Sequence, residues 1–313
     1  MSAQKRKKSG PAPGRTQAMR LGPTGAGAER AVVTVPPALA GERLDKALAA
    51  LVPALSRAFA RKVVGLGGVY LGLSRCRVAS KPVEAGDVLT ATWHPDVSAP
   101  ERFPLVVVYE DADVVVVDKA SGQLSQGSEL GDEGSLTRDL ERRFGRDIRL
   151  MHRLDKGASG LLVAARTARA SAALTPQVRE HTMSRRYLAL AAGVPADGAC
   201  ERPLIADGRR MRVAEPHEDG LPARSDVRVV RAGEGAALVE VVLFTGRTHQ
   251  IRVHLASLGA PLLGDRAYGG PAAARLGLHA AHLGFVHPDG RALAFDRPPG
   301  DDFTALAPAL AAS

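Results

Sequence analysis

The chain has 313 residues, 45% of them hydrophobic, 24% charged and 4% aromatic, which suits one large or two ordinary globular domains with aliphatic cores. No apolar run reaches the length of a membrane span, and no apolar core follows the basic start as a secretory leader requires. Cys76 and Cys200 stand alone at no metal-ligand spacing, so a reduced, cytoplasmic protein without a metal site is the expectation, not an exported disulfide scaffold. The net charge is +9, and residues 1–30 hold seven Lys or Arg (Lys5, Arg6, Lys7, Lys8, Arg15, Arg20 and Arg30) against one acid, Glu29. Such a segment reads as a disordered basic tail, either solvated or in contact with RNA phosphates.

Order is expected from about Val32, where Val32–Val35 is a strand signal closed by Pro36-Pro37. Leu44, Leu48 and Leu51 recur at helical spacing, and Pro53 stops that helix. Ser56 is a candidate N-cap for a second helix exposing Arg57, Arg61 and Lys62. Strands follow at Val69-Tyr70-Leu71 and Asp87–Trp93. Residues 31–95 thus form a small α+β unit, and 96–103, with Pro100, a linker.

A larger unit is expected over 104–302. It opens with a valine-rich hairpin, Pro104–Lys119, around an acidic turn. A polar loop runs to Gly134, and a helix capped by Ser135 turns Leu136 and Leu140 inward. Met151-His152-Arg153-Leu154-Asp155-Lys156-Gly157-Ala158-Ser159-Gly160 sets one carboxylate at a glycine-containing turn before a buried strand. Pro176 should kink or split the helix expected over 168–182. In the strand Arg185–Leu190 alternation puts Tyr187 on the face opposite Leu188 and Leu190. Arg209, Arg210, Met211 and Arg212 read as a basic loop, near substrate or simply solvated. After the strand Ala236–Leu243 comes a helix with Thr248 as candidate N-cap and Gly259 as stop. Arg247 and Arg252 lie near its N-terminus, a candidate anion site. Residues 303–313 read as a mobile Ala-rich tail.

Two helices, the second basic, and a small sheet over 41–93 resemble the ribosomal S-four-type (αL) RNA-binding module. The strand Gly-Gly-Val-Tyr-Leu-Gly departs from that module's usual polar turn. Two further blocks resemble the RluA-type pseudouridine synthases. They are His152-Arg153-Leu154-Asp155-x-x-Ala158-Ser159-Gly160-Leu161, and Thr245–Leu255 with Gly259-x-Pro261-Leu262-Leu263-Gly264-Asp265-x-x-Tyr268-Gly269. Ala158 stands where that family usually has threonine.

The resemblance implies an α+β pseudouridine synthase fold, a mixed, mainly antiparallel sheet flanked by helices. It implies isomerisation of uridine in RNA. The N-terminal module and the basic tail favour ribosomal over transfer RNA, a monomer is the default expectation, and no residue set calls for a metal, a cofactor or a membrane. Asp155 would be the catalytic carboxylate, attacking the anomeric carbon or taking a sugar proton to give a glycal. Arg252, or else Arg247, would pair with Asp155 and favour its charged form. Tyr187 would stack on the uracil and serve as the base at carbon 5, while His152, Arg153 and Arg247 would hold the extruded nucleotide. The competing readings are a non-catalytic RNA-binding protein that keeps the fold, and a glycoside hydrolase. The second lacks an evident partner carboxylate.

Overall fold

The structure is a computed structural model, and it describes residues 17–20, 27–96, 100–208 and 210–311. They form two compact units. One takes the described part of 1–100 with Gly127–Glu133, the other Glu101–Gln126 with the described part of Gly134–Ser313. No helix among the described residues is long and apolar enough to cross a membrane.

The first unit contains β1 (Gln17–Arg20), β2 (Glu29–Thr34), α1 (Leu44–Leu51), α2 (Arg57–Leu66), β3 (Val69–Leu71), β4 (Ser74–Cys76) and β5 (Val88–Trp93). Its sheet runs β1-β2-β5-β3-β4, every pair antiparallel. Leu44 and Leu48 of α1, Val63 and Val64 of α2, and Leu89 of β5 meet in its core. Ser56 caps α2 by accepting from the Phe59 N–H at 3.2 Å. Arg57, Arg61 and Lys62 face solvent.

Three features depart from expectation. Gln17–Arg20, expected in a disordered tail, pairs along β2, whose backbone would otherwise be an open sheet edge. The rest of that tail before Gly27 lies outside the described residues. The short strand β4, built from Ser74-Arg75-Cys76, carries little strand signal and is held by pairing with β3. Gly127–Glu133, expected in the larger unit, belongs here. Asp132 takes an ion pair from Arg77, and its N–H donates to Leu66 O at 3.0 Å. Of the expected linker, residues 97–99 are outside the described set.

The second unit begins with the hairpin β6 (Val106–Glu110) and β7 (Val114–Lys119). There follow α3 (Leu136–Phe144), β8 (Arg149–Leu150), β9 (Ser159–Ala165), α4 (Ala168–Arg179), β10 (Ser184–Ala192) and β11 (Gly198–Cys200). Then come β12 (Leu204–Asp207), β13 (Arg210–Val213), β14 (Ser225–Gly233), β15 (Ala236–Leu243) and α5 (Gln250–Ser257). The unit closes with β16 (Leu278–Val286), β17 (Ala292–Asp296), α6 (Asp301–Thr304) and α7 (Pro308–Ala311).

Its large sheet runs β11-β14-β15-β10-β16-β9-β7-β6, with β17 on β16 and β8 on β9. The sheet is mixed and mainly antiparallel, as the resemblance implied, with β9 and β16 parallel over two residue pairs. There Gly160 (φ +111°) lets the backbones close up, since a Cβ would lie 2.3 Å from Ala280 O. Every residue of β9 is buried, and so are Val114–Val117 of β7, so both faces of the sheet are covered here.

The structure corrects three expectations in this unit. α4 runs through Pro176 as one helix, because the proline sits in its last turn, with little helix beyond to break. Arg210–Val213 is a strand, not a loop: β12 and β13 pair, and Arg212 meets Glu218 at 2.5 Å. Arg209 is outside the described residues. The supposedly mobile tail holds α6 and α7, whose Phe303 and Leu310 pack with Leu190 in a buried cluster. The apolar side chains among the alanines are what hold it.

Candidate active site

The turn before β9 is held through its backbone. Ser125 Oγ donates to Leu154 O at 2.6 Å and accepts from Leu154 N–H at 3.0 Å. Ser121 Oγ donates to Gly157 O at 2.7 Å, and Gly122 N–H to Lys156 O at 2.8 Å. The buried Lys119 ammonium donates to Ala120 O, Gln123 O and Lys156 O at 2.9, 2.8 and 3.4 Å. The segment 119–125, which reads as plain loop, is thus the cradle that fixes Asp155. Gly157 adds close packing, since a Cβ there would be 2.9 Å from Leu276 Cβ.

Asp155 faces a cavity of about 300 Å³. One of its oxygens accepts from Arg252 Nη1 at 3.2 Å. The other end of the same guanidinium is locked by Asp265, which accepts from Nε and Nη2 at 2.7 and 2.8 Å. Burial opposes the Arg252 charge, but the bonds and charge of Asp265, then of Asp155, raise its pKa above the usual value. Of the two arginines considered for Asp155, the pairing partner is therefore Arg252. Arg247 lines the same cavity and donates through Nε to Pro222 O at 2.9 Å.

Arg252 reaches Asp155 from α5, whose start differs from expectation. Thr248 does not cap it: His249 is the N-cap, in the left-handed region at φ +55° and without a side-chain cap bond. Gln250 closes the entry instead, its Oε1 accepting from Arg247 N–H at 3.0 Å and Thr245 Oγ at 2.7 Å. The strained His249 brings its ring beside the carboxylate. Its Nδ1 lies 2.7 Å from the Tyr268 hydroxyl, and its Nε2 is 3.9 Å from Asp155 Oδ1. The Tyr268 hydroxyl also accepts from Met211 N–H at 3.0 Å, and its ring lies 4.9 Å beneath the Arg252 guanidinium. Burial lowers the His249 pKa, with Asp155 opposing, so the ring is neutral at pH 7. His254 is structural: Ser225 Oγ and Arg202 O each lie 3.0 Å from its ring nitrogens.

Tyr187 lines the cavity from β10 and is 6% exposed. Burial pushes its phenol pKa up. His152 and Arg153 line the cavity as well. Burial, reinforced by Arg185, pushes His152 down to about 3, so it is present as a neutral ring that accepts from Val163 N–H at 3.4 Å. A neutral ring lends no positive charge toward a phosphate. Arg153 is exposed at the rim. All six residues singled out in the sequence thus line one cavity. Asp265 and His249 also stand in the second sequence block, but neither was singled out there as a site residue. No cluster of three or more His, Cys, Asp or Glu among the described residues is placed to hold a metal.

Residues 113–257 match the RNA pseudouridylate synthase family, and residues 42–89 match the S4 domain. An uncharacterized RNA pseudouridine synthase of Chloroflexus aurantiacus is 40% identical over 277 residues, covering 83% of this chain and 87% of that protein. The ribosomal large subunit pseudouridine synthase D of Neisseria meningitidis is 35% identical over 296 residues, covering 86% and 79%. Among solved structures, human RNA pseudouridylate synthase domain containing 1 superposes with TM-score 0.57 at 25% identity, covering 69% of this chain and 91% of that one. The class defined by these matches and by the fold is an enzyme that rearranges uridine within RNA. Within it, the chain belongs to the RluA-type RNA pseudouridine synthases, which are isomerases.

Proposed function

We propose that this enzyme isomerises a uridine of large-subunit ribosomal RNA, with Asp155 as the catalytic carboxylate. The observation that carries the reading is the hold on Asp155. One oxygen is paired with Arg252, and the carboxylate, 20% exposed at its side chain, borders a cavity instead of being closed in. That leaves acceptor capacity for a sugar. Attack on the anomeric carbon, or removal of a sugar proton, both need such a carboxylate. The uracil is leaving group and returning nucleophile, so no second acid is required.

Tyr187 offers its ring for the uracil to stack on. Its raised pKa keeps the phenol protonated at neutral pH, which supports stacking over action as a base. Arg153 and Arg247 line the cavity and would hold the phosphates of an extruded nucleotide. The S4-type unit supplies further RNA contact through its exposed Arg57 and Arg61. Ribosomal RNA as substrate rests on that module and on the similarity to the Neisseria ribosomal large subunit pseudouridine synthase D. A monomer acting in the cytoplasm completes the reading.

The test uses ribosomal RNA from cells lacking the enzyme, labelled with tritium at carbon 5 of uridine. Wild type should release tritium to water and Asp155→Ala should not. Release by both would remove Asp155 from the chemistry. Release by neither, with RNA still bound, would favour a binding protein or another RNA.

A further inference from the structure

β10 carries a second cavity residue that the proposed chemistry has not used. Arg185 lies two positions before Tyr187, so both point to the same face, about 7 Å apart along the strand. Both line the cavity that holds Asp155. Arg185 is only 8% exposed, and its Nε and Nη2 have no hydrogen-bond partner among the described residues. Its other nitrogen has room because residue 246 is glycine, where a Cβ would lie 2.9 Å from Nη1.

The groups around it supply no counter-charge. His152 and His181 are both held below the usual histidine range, by burial first and by Arg185 second. Arg247 adds a further positive charge nearby. Asp155, the one carboxylate lining the cavity among the described residues, is bonded to Arg252. A buried guanidinium with open donors and no anion is costly to the folded protein. Donors fixed in advance in a dry site are what stabilise charge that develops during a reaction.

We infer that Arg185 is a catalytic residue that donates to a carbonyl oxygen of the target uracil and holds the negative charge of the detached ring. The inference rests on the isomerase reading and adds where that charge goes. When the bond between ring nitrogen and anomeric carbon breaks, its electron pair stays on the uracil and spreads to the two carbonyl oxygens. The anomeric carbon takes its new bond from Asp155, or a neighbouring sugar proton is lost. The ring then turns and carbon 5 bonds to the anomeric carbon, as the bond to Asp155 breaks and frees the carboxylate or, on the glycal route, as the sugar carbon regains its proton; the carbon 5 proton then leaves and the ring nitrogen takes one up. No atom is gained or lost.

Depth decides between uracil and phosphate as the anion. Arg153 is exposed and Arg247 half-buried, so both can reach a backbone, whereas Arg185 is buried in the cavity wall, at a depth that suits an inward-turned base more than a backbone. Tyr187 feels Arg185 and Asp155 with opposite signs, which places both charges within electrostatic reach of the proposed stacking ring.

The experiment compares full-length wild type with Arg185→Gln and Arg185→Lys in single turnover. One RNA carries uridine at the target and a second carries 5-fluorouridine, whose detached ring bears negative charge more easily. Loss of the nitrogen-linked nucleoside is read after digestion, and RNA affinity and melting temperature are measured alongside. The expected result for Arg185→Gln on uridine is a rate lower by about 10²–10³-fold. Its RNA Kd should stay within about threefold, its defect should be smaller on 5-fluorouridine, and its melting temperature should hold or rise because an unpaired buried charge is gone. Arg185→Lys should fall between. A weakened Kd with an unchanged rate at saturation would make Arg185 a phosphate grip and overturn the inference, as would equal losses on both RNAs. A variant that unfolds would assign it a structural role instead. Wild type inert on ribosomal RNA would overturn the isomerase reading for that RNA and this inference with it.

Discussion

Asp265 and Asp155 hold the same guanidinium from two sides, in different ways. Asp265 takes two bonds, at 2.7 and 2.8 Å, and its side chain is 1% exposed. Asp155 takes one, at 3.2 Å, and its side chain is 20% exposed. A bidentate, enclosed pair fixes geometry, and breaking it leaves a buried charge alone. A single bond to a carboxylate at a cavity wall orients that carboxylate while leaving it able to react. The difference divides one three-residue chain into an anchor and a working end.

Asp155→Asn tests the working end and should have the largest effect. Single-turnover isomerisation should fall by about 10⁴-fold or more, with melting temperature and RNA affinity nearly unchanged. A rate within tenfold of wild type would undo the division. Asp265→Asn tests the anchor. Chemical denaturation should show a loss of about 3–5 kcal/mol, because the buried Arg252 loses its main partner. A fully stable Asp265→Asn protein would mean that Arg252 is held by something else. Arg252→Lys keeps the charge and loses the fork, so it cannot bridge both acids; kcat should fall about 10–100-fold, with a stability loss of about 1–2 kcal/mol. Unaltered kcat would show that charge alone suffices.

The smallest effect concerns pH. His152 is neutral in the folded protein down to about pH 3, whereas an unfolded histidine protonates near 6.5. Its contribution to stability is therefore fully present above about pH 6.5 and is lost as pH falls toward 3. His152→Gln keeps an acceptor for Val163 N–H but cannot titrate, so melting temperature should fall less steeply between pH 6 and about 4. Parallel curves for the two proteins would remove His152 from the acid response.

Residues whose role lies in a short fixed spacing were legible. Asp155 and Arg252 each sit in a contiguous block of fixed spacing. For Tyr187, strand alternation set only its face, away from Leu188 and Leu190, and the family resemblance supplied its place in the site. What stayed hidden depends on distant chain. The Asp155 cradle comes from Lys119–Ser125, about 30 residues upstream, and its bonds run largely to backbone carbonyls, which leave no residue pattern. Arg185 reads as one more surface cation in Arg185-Arg186, and only burial tells it from its neighbour. Gly127–Glu133 joins the first unit from inside the second unit's span, and linear segmentation cannot see that. The last helices were masked by alanine, because Phe303 and Leu310 are too sparse to make a periodic signal.

The parallel contact between β9 and β16 sets an order of assembly. β16 lies at the middle of the sheet, between β10 and β9, yet among the described residues only β17 and two short helices follow it. During synthesis β6, β7 and β9 can pair locally, and so can β10, β14 and β15. The two halves lack the strand that joins them until residue 286 has left the ribosome. Such late, long-range closure makes folding slow and leaves strand edges open meanwhile. The site is thus expected to stay unassembled until β16 exists, and a chain cut short before it should be an aggregation-prone fragment instead of a weaker catalyst. Protease resistance of chains stalled before and after residue 286 would show this as a single late step.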